Sequence, residues 1–454
     1  MKLTISNHLL LTDSPSDFCR DIRSRLTLPN PAFIDAKKMG RWTGNLEREL
    51  CFYREHNGAL VVPRGFSGQL VNLAKRVGIP YQIEDNRRSL PEVEFQFAGT
   101  LKPFQVEATT AMLKKDFGTL SSPTGSGKTC MALYLIAARK QPTLIIVHTK
   151  ELMHQWCERI EQFLSIPRAE IGQIGGGKNR IGDKITIGII NSIYPIAESI
   201  KDYFGHIVID ECHRVPGRTF TEGVSAFGSR YMVGLSATPW RRDKLSRLIF
   251  WHVGDVLHEV KADVLVDNGD ILSAEVITRQ TNFETELDAS EEYSKVLSEL
   301  TQDTGRNRLI TDDIVMEANH GKGVCLVLSD RKSHCEALKA MLSDSGIEAD
   351  MLTGETGNKE RMATVERLNS GNVKVLVATG QLIGEGFDAK ALQTLFLTTP
   401  IKFDGRLTQY LGRVLRPAPG KGRPKVYDYV DAHVGVLAAS AQARAYVYRE
   451  MSQV

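Results

Sequence analysis

The stretch of sequence that decides the fold is SPTGSGKT, residues 122–129. It follows a short apolar run at residues 118–120 and precedes a helical pattern over residues 131–138. A glycine-containing loop between a buried strand and a helix is typical of the Walker A pattern, because its backbone N–H groups and the helix N-terminus attract an anion. The stretch therefore predicts an α/β domain with a phosphate site at the end of one strand.

The same alternation of short apolar runs with segments long enough to form helices occurs twice in the chain. Runs of this length that are rich in Ile and Val are typical of buried parallel strands. The runs lie at residues 143–147, 185–190, 207–209 and 232–235, and again at 324–328, 373–377, 394–397 and 425–429. The repetition predicts two tandem α/β domains rather than one large sheet.

The first hundred residues follow another pattern and predict a small α+β module. Asn57-Gly58 between two strand-like runs predicts a hairpin. Apolar residues at helical spacing over residues 67–77, with Gly78 after them, predict a helix that ends at a glycine. Pro91 and the acidic residues after it are expected to form the exit linker. The predicted domains are 1–98, 99–262 and 263–454.

Composition narrows the class of protein. The chain has 454 residues, of which 42% are apolar and 24% charged, which is typical of a folded globular protein. No run approaches the ~18 to 20 apolar residues that span a bilayer, so we expect a cytoplasmic protein without membrane contact. Seven cysteines without a C-x-x-C pair predict reduced thiols and no metal–thiolate site. The net charge of +3 combines an acidic middle segment with basic flanks. This pattern favours a polyanionic partner over the alternative of solvated surface charge.

Two carboxylates follow the apolar run at residues 207–209, and they form a Walker B arrangement behind the phosphate loop. Asp210 is expected to hold magnesium, and Glu211 to orient or deprotonate the attacking water. Lys128 is expected to reach the β- and γ-phosphates, and Thr129 to offer its hydroxyl to magnesium. The other loop residues expected to hold the nucleotide are Pro123, Thr124, Gly125, Ser126 and Gly127. These motifs predict ATP and Mg²⁺ as cofactors.

The sequence Asp210-Glu211-Cys212-His213 resembles the D-E-x-H signature of superfamily 2 helicases and translocases, and further motifs of that family follow in order. The resemblance implies two RecA-like lobes, with Gln105 of a Q-type motif reading adenine. It also implies that His213, Ser236 and Thr238 couple the nucleotide state to the grip on nucleic acid. The residues that it implies on the second lobe are Gly386 and Asp388 of motif V, and Gln409, Arg413 and Arg416 of motif VI. Arginine from motif VI can stabilise charge as the γ-phosphate leaves, and Arg416 is our first choice for that arginine finger.

Residues around these motifs resemble one branch of the family. The stretch 235–243 resembles the XPB-like branch, although Arg242 stands where that branch has Glu. Short motifs such as residues 40–44 resemble the leading domain of the phage recombination helicase UvsW, which implies that the small module binds duplex or branched DNA. Trp42 and Phe66 could stack or wedge at a junction or fill the module's core; we favour the core for Phe66 and leave both possibilities open for Trp42.

The resemblance also implies which residues contact nucleic acid. Loops after the strands of both lobes can hold phosphates without reading bases. The residues expected to make these contacts are Arg41, Trp42, Arg64, Lys150, Gly176, Arg331 and Thr379. Further candidates for phosphate contacts in the module are Lys37, Lys38, Lys75, Arg76, Arg87 and Arg88.

Together these features predict an ATP-dependent DNA helicase or translocase that remodels forks, junctions or D-loops in repair or recombination. The DNA contacts are expected to be largely independent of sequence, and a protein partner in repair, recombination or defence is compatible with them. One alternative is the same motor acting on RNA. Another is a non-unwinding ATPase switch, such as the recognition subunit of a defence or restriction complex. A metabolic P-loop kinase is disfavoured, because it would not require the motif VI arginines or a second lobe.

Overall fold

The computed structural model describes residues 1–38, 40, 42–214, 219, 222–237, 246–321, 323–380, 391–401, 406–418 and 420–452. The chain divides into two compact units. The first comprises Met1–Ser122 and Gly127–Glu259, and the second comprises Pro123–Ser126 and Val260–Val454. The first unit therefore holds the leading module together with most of the first α/β domain, and the boundary at residue 98 stays a prediction.

The leading module is built on a mixed sheet. Its elements are β1 (Lys2–Ile5), β2 (His8–Thr12), α1 (Ser16–Arg25), β3 (Thr27–Pro29), α2 (Pro31–Lys38), β4 (Glu49–Cys51), β5 (Arg54–His56), β6 (Ala59–Pro63), α3 (Ser67–Arg76) and β7 (Gln82–Asp85). The strand order is β5-β6-β2-β1-β7, and β3 pairs separately with β4. Asn57 and Gly58 have φ angles of +49° and +75°, which suit a tight turn between β5 and β6. The predicted hairpin is confirmed.

A larger sheet fills the rest of the first unit. Its elements are α4 (Pro103–Leu113), β8 (Phe117–Ser121), α5 (Lys128–Arg139), β9 (Thr143–Val147), α6 (Lys150–Leu164), β10 (Gly172–Gly175), β11 (Lys178–Arg180), β12 (Ile185–Ile189), α7 (Ile190–Ile193), α8 (Ala197–Ile200), β13 (His206–Ile209), β14 (Tyr231–Ser236), α9 (Ser246–Val253) and β15 (Val256–Glu259). The strand order is β11-β10-β12-β9-β13-β14-β8-β15. Neighbouring strands are parallel except at the β10–β11 edge, where they are antiparallel.

The order of these strands places the candidate site residues. Every residue of β9 and β13 is buried, as expected for strands covered on both faces. Because β13, β14 and β8 are parallel neighbours, their carboxyl ends lie at one edge of the sheet. The phosphate loop follows β8, Asp210 follows β13, and Ser236 ends β14. The sheet therefore collects the phosphate loop, Asp210 and Ser236 along a single edge.

The leading module shares its hydrophobic core with helix α9. Leu248 and Trp251 of α9 belong to the same buried cluster as Phe66 of the module, so the core position expected for Phe66 is confirmed. A Cβ added at Gly65 would lie 2.5 Å from the carbonyl oxygen of Phe250, so only glycine permits this close approach. The module is thus packed against the larger domain through a continuous core.

The second unit carries a parallel sheet of its own. Its elements are α10 (Ala262–Asp267), β16 (Glu275–Gln280), α11 (Tyr293–Gln302), α12 (Thr304–His320), β17 (Val324–Ser329), α13 (Lys332–Asp344), β18 (Ala349–Leu352), α14 (Asn358–Asn369), β19 (Val375–Thr379), β20 (Leu392–Leu397), α15 (Arg406–Val414), β21 (Lys425–Val430) and α16 (Gly435–Ser452). The strand order is β16-β21-β20-β17-β19-β18, with parallel pairing throughout these strands.

Buried ion pairs attach the helices of this unit to its sheet. Arg306 of α12 donates from Nε to Asp431 Oδ1 over 2.8 Å, and both side chains are 1% exposed. Arg444 of α16 pairs with Asp428 of β21 over 2.7 Å. Removing one partner of such a pair would leave an uncompensated buried charge, so both pairs favour this arrangement of helices and sheet. Within the part of the chain that the structure describes, no helix has the length and apolar character needed to cross a membrane.

Candidate functional site

The phosphate loop connects β8 directly to α5. Gly125 and Gly127 have φ angles of +94° and +79°, in the left-handed region that favours glycine. The backbone N–H of Ser126 donates to the carbonyl oxygen of Pro123 over 3.3 Å, which tightens the loop. Thr124 lies between these residues with its hydroxyl buried. The loop therefore leads into the positive end of α5, as anion binding requires.

Lys128 and the two carboxylates after β13 converge at the sheet edge. Lys128 Nζ donates to the carbonyl oxygen of Ser122 over 2.9 Å and lies 4.0 Å from Glu211 Oε1. Thr129 follows Lys128 in the first turn of α5. The structure thus brings together the residues that the two Walker motifs predict.

Glu211 and Asp210 are held by different contacts. Glu211 has a φ of +47°, which is unusual for a residue with a side chain and is the kind of strain that functional sites retain. Its carbonyl oxygen lies 3.2 Å from His148 Nε2. Trp156 Nε1 donates to Asp210 Oδ2 over 2.8 Å. Trp156 therefore holds Asp210 by its carboxylate, whereas the contact with His148 holds Glu211 by its backbone.

The surroundings of Asp210 and Glu211 shift the pKa values of the two carboxyl groups in opposite directions. Burial, together with the negative charge of Glu211, raises the pKa of Asp210 to about 6. Burial also acts to raise the pKa of Glu211, but Lys128 and other basic groups nearby outweigh burial and lower it. Glu211 is therefore the more readily ionised member of the pair, which suits a group that orients or deprotonates water.

Two of the three predicted coupling residues, His213 and Ser236, meet at the same edge. His213 Nδ1 lies 2.8 Å from Ser236 Oγ and 3.4 Å from Glu211 Oε2. Burial lowers the pKa of His213 to about 4, so the imidazole is neutral near pH 7. His213 thus connects the acid after β13 to the residue that ends β14. Thr238 lies outside the described residues.

Gln105 lies beside the phosphate loop, as a base contact would require. It is 6% exposed, and its Oε1 accepts from the backbone N–H of Lys102 over 3.0 Å. A Cβ added at Gly127 would lie 2.6 Å from Gln105 Nε2. Gln105 is therefore held against the phosphate loop.

The residues present fit a magnesium ion that arrives with ATP. Asp210 and Thr129 offer the oxygen ligands that Mg²⁺ prefers, and this ion usually binds through one or two carboxylates together with phosphates and water. Glu211 Oε2 is buried without a hydrogen-bond partner among the described residues, and a water of the ion's shell could satisfy it. Over the same residues, no cluster of three or more His, Cys, Asp or Glu side chains could hold a metal by itself.

The remaining residues that the sequence predicts for the ATP site belong to the second unit. Gln409 and Arg413 lie in α15, and Arg416 follows that helix. The carbonyl oxygen of Arg416 accepts from Lys421 Nζ over 2.8 Å. The side chain of Gln409, together with the whole of Gly386 and Asp388, lies outside what the structure describes. The roles of these five residues stay predictions.

Two loops predicted to hold nucleic acid lie next to each other in the first unit. Lys150 begins α6 after β9 and is exposed, and Gly176 follows β10. A Cβ added at Gly176 would lie 3.2 Å from Lys150 Cε, so the lysine side chain covers the glycine turn. Two other residues predicted to contact nucleic acid, Thr379 and Arg331, belong to the second unit. Thr379 ends β19, and Arg331 Nη2 donates to Ser294 Oγ over 3.0 Å.

In the leading module, the predicted contacts separate into exposed and buried residues. Trp42 is 75% exposed, so the alternative that it fills the module's core is wrong. Lys37, Lys75 and Arg76 are exposed as well. Arg41 lies outside the described residues, as does the side chain of Lys38.

The prediction that Arg64 contacts a phosphate is wrong, because the side chain is buried. It is 2% exposed, and its Nη1 donates to the carbonyl oxygen of Ser229 over 2.7 Å. Burial lowers the pKa of its guanidinium to about 9. Arg87 pairs with Asp116 in the same seam between the module and the larger domain. These cations are used to pack the module against the domain and are not presented to a ligand.

Arg88 is partly exposed, and its contact with a phosphate stays a prediction. Its backbone N–H donates to the carbonyl oxygen of Gly228 over 2.7 Å, and its Nη1 donates to the carbonyl oxygen of Lys201 over 2.9 Å. Its guanidinium also pairs with Asp202. Arg88 therefore contributes its hydrogen-bonding groups to contacts within the first unit.

The fold and these contacts define a P-loop ATPase with a RecA-like α/β fold. The family described as type III restriction enzyme, res subunit, matches residues 98–241, and the helicase conserved C-terminal domain matches residues 307–418. The chain therefore belongs to the superfamily 2 helicases, enzymes that hydrolyse ATP and act on nucleic acid.

Two curated relatives illustrate this relationship. A protein named as an ATP-dependent RNA helicase in Acanthamoeba polyphaga mimivirus is 26% identical over 373 residues, which cover 78% of this chain and 68% of that protein. A protein named as the DNA 3'-5' translocase XPB2 of Sulfurisphaera tokodaii is 36% identical over 165 residues, which cover 36% of this chain and 37% of that protein. The names of the two relatives thus specify different nucleic acids.

Two solved structures are similar to this chain at low sequence identity, and the first of them shares its fold. A fragment of an HsdR subunit of a type I restriction enzyme from Vibrio vulnificus superposes with a TM-score of 0.57 at 18% identity, covering 77% of this chain and 66% of that one. The structure of UvsW from bacteriophage T4 covers 99% of this chain and 98% of its own, with a TM-score of 0.46 and 18% identity. The DNA-binding role expected for the leading module stays a prediction.

Trp156 is the site residue that sequence reasoning missed. The only sequence signal at Trp156 is its place in the apolar stripe of α6, and such a stripe indicates core packing. The contact with Asp210 joins residues 54 positions apart. It depends on how α6 crosses the sheet, which local sequence patterns do not specify.

Proposed function

We propose that this helicase acts on DNA, as a translocase or unwinding enzyme that remodels forks, junctions or D-loops in repair or recombination. The name of the Sulfurisphaera tokodaii relative, a DNA translocase, supports DNA as the substrate. The exposed Trp42 supports contact with unpaired bases, because an exposed indole can stack on any base.

The observation that carries the proposal is the common edge of the large sheet. Lys150 and Gly176 follow the carboxyl ends of β9 and β10, and Asp210 follows the carboxyl end of β13 in the same parallel set. Contacts with backbone phosphates and with ATP phosphates therefore arise from neighbouring loops of one sheet. His213 and Ser236 join this edge to the acid that activates water. We infer that a change at the nucleotide alters the grip on DNA through these loops.

In the proposed ATP cycle, the residues of the first unit hold the nucleotide and activate water. Lys128 neutralises the β- and γ-phosphates, Gln105 contacts the base, and Glu211 orients the attacking water. Mg²⁺, held by Thr129 and Asp210, supplies charge stabilisation at the phosphates when it is bound. From the second unit, Arg413 and Arg416 supply positive charge to the departing γ-phosphate. Gln409, Gly386 and Asp388 complete the site.

A strand-displacement assay tests this proposal. Fluorescently labelled forks and four-way junctions are incubated with the protein, Mg²⁺ and ATP, and the non-hydrolysable analogue serves as the control. The proposal predicts ATP-dependent remodelling of the branched DNA. Preferential unwinding of structured RNA would favour the RNA helicase that the mimivirus relative's name suggests.

A switch subunit of a restriction or defence complex is the second candidate. The res-subunit family match at residues 98–241 favours it. This candidate predicts DNA-stimulated ATP hydrolysis without strand displacement, and co-purification with a nuclease. Remodelling of junctions by the isolated chain would contradict it.

A further inference from the structure

The contact between Trp156 and Asp210 connects the candidate ATP site to helix α6. This helix begins at Lys150, a residue predicted to contact nucleic acid. Trp156 is 2% exposed and Asp210 is 8% exposed, and the indole N–H is the only hydrogen-bond donor of the tryptophan side chain. A hydrogen bond from a neutral donor to a buried carboxylate is stronger than one between two neutral groups. The bond therefore fixes one oxygen of Asp210 in a defined direction.

Helix α6 carries Trp156 as part of a packed face. Met153, Cys157, Ile160 and Leu164 are buried with it, at the spacing of one helical stripe. Thr149 Oγ1 accepts from the backbone N–H of Leu152 over 3.3 Å and caps the start of the helix. Because the helix is capped and packed along its length, a displacement at its first turn would move Trp156 with it.

The first residue of this helix is a candidate contact for nucleic acid. Lys150 is exposed and lies over Gly176, whose φ of +61° opens the turn after β10. Trp156 is six residues further on, which is about 9 Å along a helix axis. A phosphate held at Lys150 would thus act on the same rigid element that holds Asp210.

A second contact ties α6 to the other side of this turn. Gln173 of β10 donates from Nε2 to Cys157 Sγ over 3.7 Å. Cys157 is the neighbour of Trp156 in the sequence, and β10 leads directly to Gly176. Both sides of the proposed phosphate contact therefore connect to the same segment of α6.

We propose that Trp156 is a positioning residue, which holds the Asp210 carboxylate for magnesium and relays to it the contact that nucleic acid makes at Lys150. The proposal rests on the proposed function, because it assumes that DNA binds at Lys150. The simpler role of a buried indole, which needs an acceptor for its N–H, would affect stability without affecting the response to magnesium or DNA.

Substitution Trp156→Phe tests the proposal, since it keeps an aromatic ring and removes the N–H donor. The measurement is the Mg²⁺ concentration at which a mant-labelled, non-hydrolysable ATP analogue binds half-maximally, with and without a DNA fork. In the unsubstituted protein, DNA should lower this concentration. In Trp156→Phe the concentration should rise about tenfold, as for other residues that orient metal ligands, and DNA should no longer change it.

Trp251→Phe is the matched control, because Trp251 is a buried tryptophan in the core shared by the module and α9. It should lower the melting temperature and leave the magnesium and DNA responses unchanged. Equal responses in Trp156→Phe and the unsubstituted protein would overturn the positioning role. If DNA had no effect even in the unsubstituted protein, the relay from Lys150 to Asp210 would be contradicted, and the magnesium shift without DNA would still test the contact with Asp210.

A fluorescence measurement keeps the proposal testable if Trp156→Phe does not fold. The chain has four tryptophans, and replacing Trp42, Trp240 and Trp251 with Phe leaves Trp156 as the reporter. Its emission should change when Mg²⁺ is added with the ATP analogue and should not change with the analogue in EDTA. An emission that does not respond to Mg²⁺ would overturn the proposal.

Discussion

The nucleotide site of the first unit and the basic residues of the leading module differ in what fixes each side chain. At the nucleotide site, Lys128, Asp210 and Glu211 occupy loops whose position follows from the order of parallel strands. In the module, Arg64 and Lys75 belong to the same basic set in the sequence, but one is buried in a seam and the other is exposed. A motif on a sheet edge thus specifies where its residues lie, whereas positive charge alone does not.

The largest effect is expected at the nucleotide site. Lys128→Ala should reduce the ATP hydrolysis rate by at least about a hundredfold, because a charge that stabilises the phosphates in the transition state is removed. The fold and some affinity for DNA should remain, since Lys128 contacts Ser122 and Glu211 and is not among the proposed DNA contacts. Steady-state phosphate release and DNA binding in the same buffer provide the measurement. Normal turnover would contradict the assignment of the phosphate loop.

The comparison becomes sharper with two substitutions in the module. Arg64→Ala should lower the free energy of unfolding by about 2 to 4 kcal/mol, because it leaves a cavity and removes the hydrogen bond to Ser229. It should leave the salt dependence of DNA affinity unchanged. Lys75→Ala is the matched exposed control, and it should leave stability unchanged while lowering the slope of log affinity against log salt by about 1.

Chemical denaturation and DNA binding at several salt concentrations measure both effects. A reduced salt slope in Arg64→Ala with unchanged stability would show that Arg64 reaches DNA. The buried position of Arg64 beside Ser229 would then not describe the protein in solution. An unchanged slope in Lys75→Ala would remove Lys75 from the proposed DNA surface.

The smallest effect is expected at the exposed aromatic residue. Trp42→Ala should weaken binding to single-stranded or forked DNA by about 1 to 3 kcal/mol if the indole stacks on one base, and blunt duplex should bind almost as before. Tyr203→Ala is a suitable control, because Tyr203 is also an exposed aromatic residue of the first unit, at 56% exposure. Equal losses for fork and blunt duplex would contradict stacking by Trp42.

Much of the fold could be predicted because it depends on local patterns. Each of the eight apolar runs forms or overlaps a strand, and the run at residues 143–147 has the same bounds as β9. The run at residues 373–377 begins two positions before β19 (Val375–Thr379), because Val373 is buried without pairing in the ladder. Hydrophobic periodicity locates strands well and their ends less well.

The features that could not be predicted all depend on contacts between distant segments. The core shared by Phe66 and Trp251 joins residues far apart in the sequence, and no periodicity in either segment indicates the other. The burial of Arg64 follows from that packing. The hydrogen bond from Trp156 to Asp210 likewise requires knowing how α6 packs against the sheet. Sequence motifs therefore predict the residues of the candidate ATP site more readily than the residues that support them.

The most direct test of the central claim is steady-state ATP hydrolysis with Mg²⁺ at one fixed salt concentration. The rate is compared without nucleic acid and with single strands, blunt duplex, a synthetic fork, a four-way junction and structured RNA. The proposed function predicts the strongest stimulation by branched or duplex DNA, and Lys128→Ala should remove that stimulation. Stimulation by RNA alone, or by none of these nucleic acids, would contradict a DNA-remodelling motor.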